Sequence, residues 1–144
     1  MAHQDKLNIL FVCSGNSFRS QIAEAWGKEL LSERYNFFSA GTKPHAINPR
    51  AIEVMAEAGV DISAYRSKAI ADLDAEMDVV ITVCSKARET CPLVHGASRI
   101  LHVDIDAPSA LAREAANESE AFGVYCRVRD DIRAFVEHID RYLN

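Results

Sequence analysis

The chain has 144 residues, 49% of them apolar, with only 4 prolines and 6 glycines, a composition that supports one buried core and excludes a disordered or fibrous chain. A net charge of −5 speaks against nucleic-acid binding and against attachment to an anionic membrane, because both need a basic face. It does not speak against capture of one small anion, which a local nest of backbone N–H groups can achieve.

No apolar run is long enough to span a bilayer, and the polar stretch Met1–Lys6 carries no signal-peptide pattern. A cytoplasmic protein with reduced cysteines is therefore expected. Its 4 cysteines form neither a CxxC pair nor a zinc-type spacing, so no metal and no cofactor are expected.

In chain order, Leu7–Val12 is a short apolar run that predicts a buried strand. A Ser/Gly/Asn loop follows, and then Ile22, Ala23, Trp26, Leu30 and Leu31 recur at helical spacing. Asn36–Ala40 predicts a second strand, closed by Gly41. Asn48-Pro49 is a helix start and Gly59 a helix stop. Met77–Val83 and Arg99–Val103 predict strands three and four. From Glu118 to Leu143, Phe122, Tyr125, Val128, Ile132, Phe135, Val136 and Ile139 trace the stripe of one long amphipathic helix.

Strands alternating with helices imply an α/β fold. The expectation is a single three-layer domain over residues 1–144, a four-stranded parallel sheet with helices on both faces. Ligands of such sheets bind beyond the carboxyl ends of the strands. Cys13 ends strand one, Cys84 ends strand three, and Asp104 and Asp106 follow strand four, so the fold gathers them at one rim.

The segment Cys13-Ser14-Gly15-Asn16-Ser17-Phe18-Arg19-Ser20 lies between a strand and a helix. Such a loop can turn successive N–H groups inward on a tetrahedral oxyanion, while Arg19 supplies a planar fork for two of its oxygens. Gly15 is expected to adopt a conformation that other residues resist. Asn16, Ser17 and Ser20 can hydrogen-bond the loop and the sulfur. The helix N-terminus and Arg19 are expected to favour the thiolate of Cys13, the nucleophilic form.

Val12 through Glu24 resembles the active-site signature of thioredoxin-coupled arsenate reductases, which share the low-molecular-weight protein-tyrosine phosphatase fold. Ser39-Ala40-Gly41, Asn48-Pro49-Arg50-Ala51-Ile52, Asp61-Ile62-Ser63, Thr82-Val83-Cys84-Ser85, Cys91-Pro92 and Arg127-Val128-Arg129-Asp130 continue the resemblance along nearly the whole chain. It implies that Cys13 attacks arsenate and that Cys84 attacks the adduct, releasing arsenite and leaving a Cys13–Cys84 disulfide. Cys91 then attacks Cys84, and the Cys84–Cys91 disulfide is reduced by thioredoxin. Phosphate and sulfate would act as substrate analogues, and a monomer is expected. The segment Ser85–Thr90 would be a flexible loop giving thiolates access to one another. Cys126 matches no catalytic position of the family and reads as packing or surface.

The sequence departs from the family at several places. The family's general acid is an Asp immediately before Pro, but Ala107 precedes Pro108 here, leaving Asp106 to serve, or less directly Asp104. Ser109-Ala110-Leu111 follows, without the tyrosines that hold a phosphotyrosine ring. Phe18 stands where relatives often carry another cysteine. Some relatives bind potassium through residues matching Asn16, Glu24 and Ser39 and an acidic residue near position 68. Lys68 stands there instead, its ammonium replacing the cation. Trp26 reads as core and His45 as an exposed turn residue. Two alternatives remain: a low-molecular-weight phosphatase, which needs neither Cys84 nor Cys91, and a non-catalytic oxyanion-binding module. The reductant can be thioredoxin, glutaredoxin or a small thiol.

Overall fold

The computed structural model describes residues 6–90 and 96–143. Four strands, β1 (Leu7–Cys13), β2 (Tyr35–Gly41), β3 (Val79–Thr82) and β4 (Arg99–His102), form one parallel sheet in the order β2-β1-β3-β4. β1 is central in its pairing, and Ile9 through Val12 are fully buried, as a continuous apolar run requires of a strand covered on both sides.

Helix α1 (Arg19–Leu31) links β1 to β2, and α3 (Ser85–Thr90) links β3 to β4. The chain moves one way along the sheet in the first connection and the opposite way in the second. Right-handed crossovers then put the two connections on opposite faces. Helix α5 (Glu118–Glu137) packs against α1, and Phe135 meets Phe11 edge to face at 6.1 Å between ring centroids. Helix α2 (Pro49–Glu57) begins where the sequence places it, with Asn48 as its cap and Pro49 in its first turn. Gly59 follows in the left-handed region at φ +90, beyond the helix end.

Two expectations are corrected. Ser85–Thr90 is a helix rather than a flexible loop. Its residues tolerate helix, and its first turn closes at once, with Arg88 N–H donating to the Cys84 carbonyl at 3.1 Å. The single C-terminal helix is two, α5 and α6 (Asp140–Leu143), with α4 (Pro108–Ala112) and a 3-10 turn (Ile70–Asp72) also present. The break is a tertiary effect. Tyr35 and Arg34 donate to the Asp140 carboxylate, and Arg99 donates to the carbonyls of Tyr142 and Leu143. Ile139 stays fully buried across the break, so the apolar stripe continues although the helix does not.

Candidate active site

The loop between Cys13 and Arg19 is defined by where its backbone hydrogen bonds go. The carbonyls of Cys13, Ser14, Gly15 and Ser17 accept from the N–H groups of Thr42, Lys43, His45 and Asn48 at 2.9–3.2 Å. The Asn16 carbonyl accepts from the Ser67 hydroxyl and from Gln21 Nε2. All five carbonyls are therefore turned outward. Among the described residues no protein group accepts from the N–H groups of Ser14 through Ser20. A peptide chain that directs its carbonyls to one side presents its N–H groups to the other, which makes an anion-binding concavity.

The conformation that permits this wrap belongs to Asn16, at φ 50, and not to Gly15 as expected from the sequence. Asparagine tolerates the left-handed region better than most residues. A Cβ at Gly15 would stand 2.6 Å from Cδ2 of His45, an exposed ring that has room to turn aside. Gly41 is the more constrained, because a Cβ there would meet backbone, the Ser14 carbonyl at 2.6 Å and the Asn16 nitrogen at 2.9 Å.

Beneath the loop runs a buried chain of side chains whose donors and acceptors can be assigned. Asn16 Oδ1 accepts from Lys68 N–H at 2.8 Å, which fixes the amide orientation. Its Nδ2 donates to Ser20 Oγ at 2.8 Å and Ser39 Oγ at 3.0 Å. The Ser39 hydroxyl donates to the Glu24 carboxylate at 2.5 Å. Ser20, already accepting from Asn16, has its own proton available for Cys13 Sγ at 2.9 Å. Glu24, nearly buried, is held by Lys28 Nζ at 2.5 Å, with Lys68 Nζ at 3.7 Å. A Cys13 thiolate can only accept, so in that form the chain of bonds ends with the Ser20 hydroxyl donating to its sulfur. Lys68, with its ammonium beside Glu24, occupies the position the family comparison singled out.

A pocket of about 90 Å³ opens above Cys13. Gly15, Ser17, Phe18 and Arg19 form its loop side, and Asn48, Ala107, Pro108 and Ser109 form the opposite wall. Its size is far below that of sites for drug-sized ligands, roughly 300–1,000 Å³. Arg19 Nη1 donates to the Ile105 carbonyl at 2.9 Å and so joins the loop to the segment after β4. Ser14, Asn16 and Ser20 are not among the lining residues, and the side chains of Asn16 and Ser20 support the loop through their mutual bond.

The acid position is Ala107, which lines the pocket; Asp106, one residue earlier, does not. Asp106 is exposed and makes no side-chain hydrogen bond or ion pair among the described residues. Asp104 is engaged elsewhere, its Oδ1 lying 2.7 Å from Nε2 of His102.

Cys84 lies at the same rim, at the end of β3, where Val83 N–H donates to the Val12 carbonyl at 2.9 Å. It is 5% exposed, and its sulfur accepts from Ala87 N–H at 3.4 Å in the first turn of α3. Cys91 lies outside the described residues. Cys126 is half-buried on α5, and burial pushes its thiol pKa up, which leaves it a poor nucleophile. Trp26 is core, as expected, and carries the Arg133 guanidinium 4.7 Å over its ring. Among the described residues no cluster of three or more His, Cys, Asp or Glu side chains comes together. Sequence reasoning missed the pocket walls contributed by Asn48 and Ser109; Asn48 was legible only as a helix cap.

Comparison with known proteins agrees with this geometry. The family model described as low molecular weight phosphotyrosine protein phosphatase matches residues 8–141. Arsenate reductase 1 of Staphylococcus saprophyticus subsp. saprophyticus is 40% identical over 134 residues, covering 92% of this chain and 95% of that one. A solved arsenate reductase in the phosphate binding state is 26% identical and superposes with a TM-score of 0.73, covering 96% of this chain and 99% of the other. The thioredoxin-dependent arsenate reductase of Corynebacterium glutamicum is 25% identical with a TM-score of 0.64, covering 98% of this chain and 65% of that one. The chain belongs to the low molecular weight phosphotyrosine protein phosphatase family, within its arsenate reductase branch.

Proposed function

We propose that this enzyme reduces arsenate to arsenite with Cys13 as nucleophile and a Cys13–Cys84–Cys91 relay regenerated by thioredoxin. The observation that carries the reading is the concavity of free N–H groups closed by Arg19 around the Cys13 sulfur. Those donors compensate the charge of an arsenate oxyanion and hold arsenic near the sulfur. Phosphate and sulfate fit the same donors as analogues, and the related protein solved in a phosphate binding state supports that use of the pocket.

The electron balance is as follows. The Cys13 thiolate displaces one oxygen of arsenate, which leaves as water after protonation, and forms a sulfur–arsenic bond. The Cys84 thiolate attacks the Cys13 sulfur, a disulfide forms, and the sulfur–arsenic pair stays on arsenic, which leaves as arsenite. Cys91 then attacks the Cys84 sulfur and frees Cys13. A thioredoxin dithiol reduces the Cys84–Cys91 disulfide. Asp106 is the group assigned to protonate the leaving oxygen; it is exposed, has no side-chain partner among the described residues and directly precedes the pocket-lining Ala107, which supports that role.

The thioredoxin-dependent relative supports thioredoxin as the reductant. The thiol chemistry requires a reducing compartment, which supports a cytoplasmic location for a monomer of one domain over residues 1–144. Among the described residues no helix is long and apolar enough to cross a membrane. The small pocket and the absence of aromatic side chains at Ser109-Ala110-Leu111 favour a bare oxyanion over an aryl phosphoester.

The test is turnover with arsenate, thioredoxin, thioredoxin reductase and NADPH, run beside hydrolysis of para-nitrophenyl phosphate. Arsenate-dependent NADPH oxidation with stoichiometric arsenite is the expected result. Phosphate-ester hydrolysis with no arsenite would instead make the chain a phosphatase.

A further inference from the structure

Asn48 is half-buried between helix α2 and the pocket, and its groups are used unevenly. Its N–H donates to the Ser17 carbonyl at 2.9 Å, which ties it to the anion loop. Its side-chain Oδ1 accepts from Arg50 N–H at 2.9 Å and caps α2. That bond fixes the amide: Oδ1 faces the helix, and Nδ2 stands on the opposite side of Cγ. Among the described residues Nδ2 donates to no protein group. Asn48 is at the same time a lining residue of the pocket that holds Cys13 and Arg19.

Besides Asn48, the side-chain donors of the wall facing the anion loop come from Ser109 alone. Ala107 has an apolar side chain, Pro108 is buried and has no N–H, and Ser109, in the first turn of α4, offers its hydroxyl and its N–H. An oxyanion seated on the loop N–H groups and Arg19 presents its remaining oxygen towards this wall.

We propose that Asn48 is an oxyanion-binding residue, using Oδ1 to cap helix α2 and Nδ2 to donate to the outer oxygen of the bound anion. The assignment rests on the reading of the pocket as an oxyanion site. The helix cap turns the amide so that a donor, not an acceptor, meets the negative charge. A tetrahedral anion is thereby held on two sides, and its rotation over the sulfur of Cys13 is restricted.

The experiment uses variants that keep the cap and remove the donor. Asp and Ser cap helices about as well as Asn. Asn48→Asp replaces the donor by a carboxylate, and Asn48→Ser keeps a capping hydroxyl and removes the amide donor. The affinity for inorganic phosphate is measured by calorimetry on the reduced full chain, with the melting temperature recorded for each variant. A hydrogen bond to a charged group is worth about 1.5–3 kcal/mol. Asn48→Ser should therefore weaken phosphate about tenfold to a hundredfold, and Asn48→Asp by more, with melting temperatures close to wild type. In turnover, the KM for arsenate should rise more than kcat falls. Wild-type affinity in Asn48→Ser would overturn the assignment of Asn48 while leaving the pocket intact. Absence of phosphate binding by the wild type would overturn the oxyanion site itself, and Asn48 with it.

Discussion

Replacing Asn16 by alanine removes the residue on which the anion loop turns. Asn16 is fully buried at φ 50, and its side chain makes four hydrogen bonds, to Ser20, Ser39, Lys68 and Gln21. Alanine in the left-handed region costs about 1–2 kcal/mol. Lys68 N–H loses its partner and is left part-buried, which costs about 1–3 kcal/mol. The other three groups each keep another partner, so their losses are smaller, about 0.5 kcal/mol each at the low end of the net hydrogen-bond range. Together these amount to about 3.5–6.5 kcal/mol, a large share of a typical stability of roughly 5–15 kcal/mol. Urea titration of wild type and Asn16→Ala gives the stability difference, and a melt should show a drop of roughly 10–20 °C. Ser20 also loses the donor that leaves its own proton for Cys13, so arsenate turnover by the remaining folded protein should fall as well. A stability loss below about 1 kcal/mol, or full activity in the folded variant, would refute the assignment of Asn16 as the hub of the loop.

Three further outcomes are expected. Asp106→Asn should slow single-turnover arsenite release by about 10²–10⁴-fold; a normal Asp106→Asn beside a crippled Asp104→Asn would move the acid to Asp104. In Cys91→Ser, quenched-flow measurement should find one burst of arsenite and peptide mapping a trapped Cys13–Cys84 disulfide, whereas Cys84→Ser should release none; sustained thioredoxin-driven turnover by Cys91→Ser would remove Cys91 from the relay. Asp140, held below the usual carboxylate range by the Tyr35 hydroxyl and then Arg34, contributes stability that is present above the unfolded carboxylate value and lost as pH falls through the lower folded value. Asp140→Asn should therefore be less stable than wild type at neutral pH, and the two urea midpoints should converge below roughly pH 4; a gap that persists at lower pH would show that the loss is not the carboxylate's.

The sequence by itself determined the parts of this protein whose physics is local. A buried strand, a Ser/Gly/Asn loop and a helix in succession define the anion loop. Asn48-Pro49 and Gly59 mark α2, and four apolar runs alternating with helices define the parallel sheet that brings Cys13 and Cys84 to one rim. These follow from periodicity, capping and turn chemistry, which act between residues a few positions apart. The tertiary structure alone decided the rest. The left-handed residue is Asn16 because its side chain is held by Ser39, 23 positions away, and by Lys68, 52 away. Gly41 is required by the backbone of the anion loop, the C-terminal helix breaks because Asp140 is claimed by β2, and Ala107 rather than Asp106 lines the pocket. Each of these depends on which distant side chain arrives at a given point, and that is set by how helices settle on a sheet, not by any pattern along the chain.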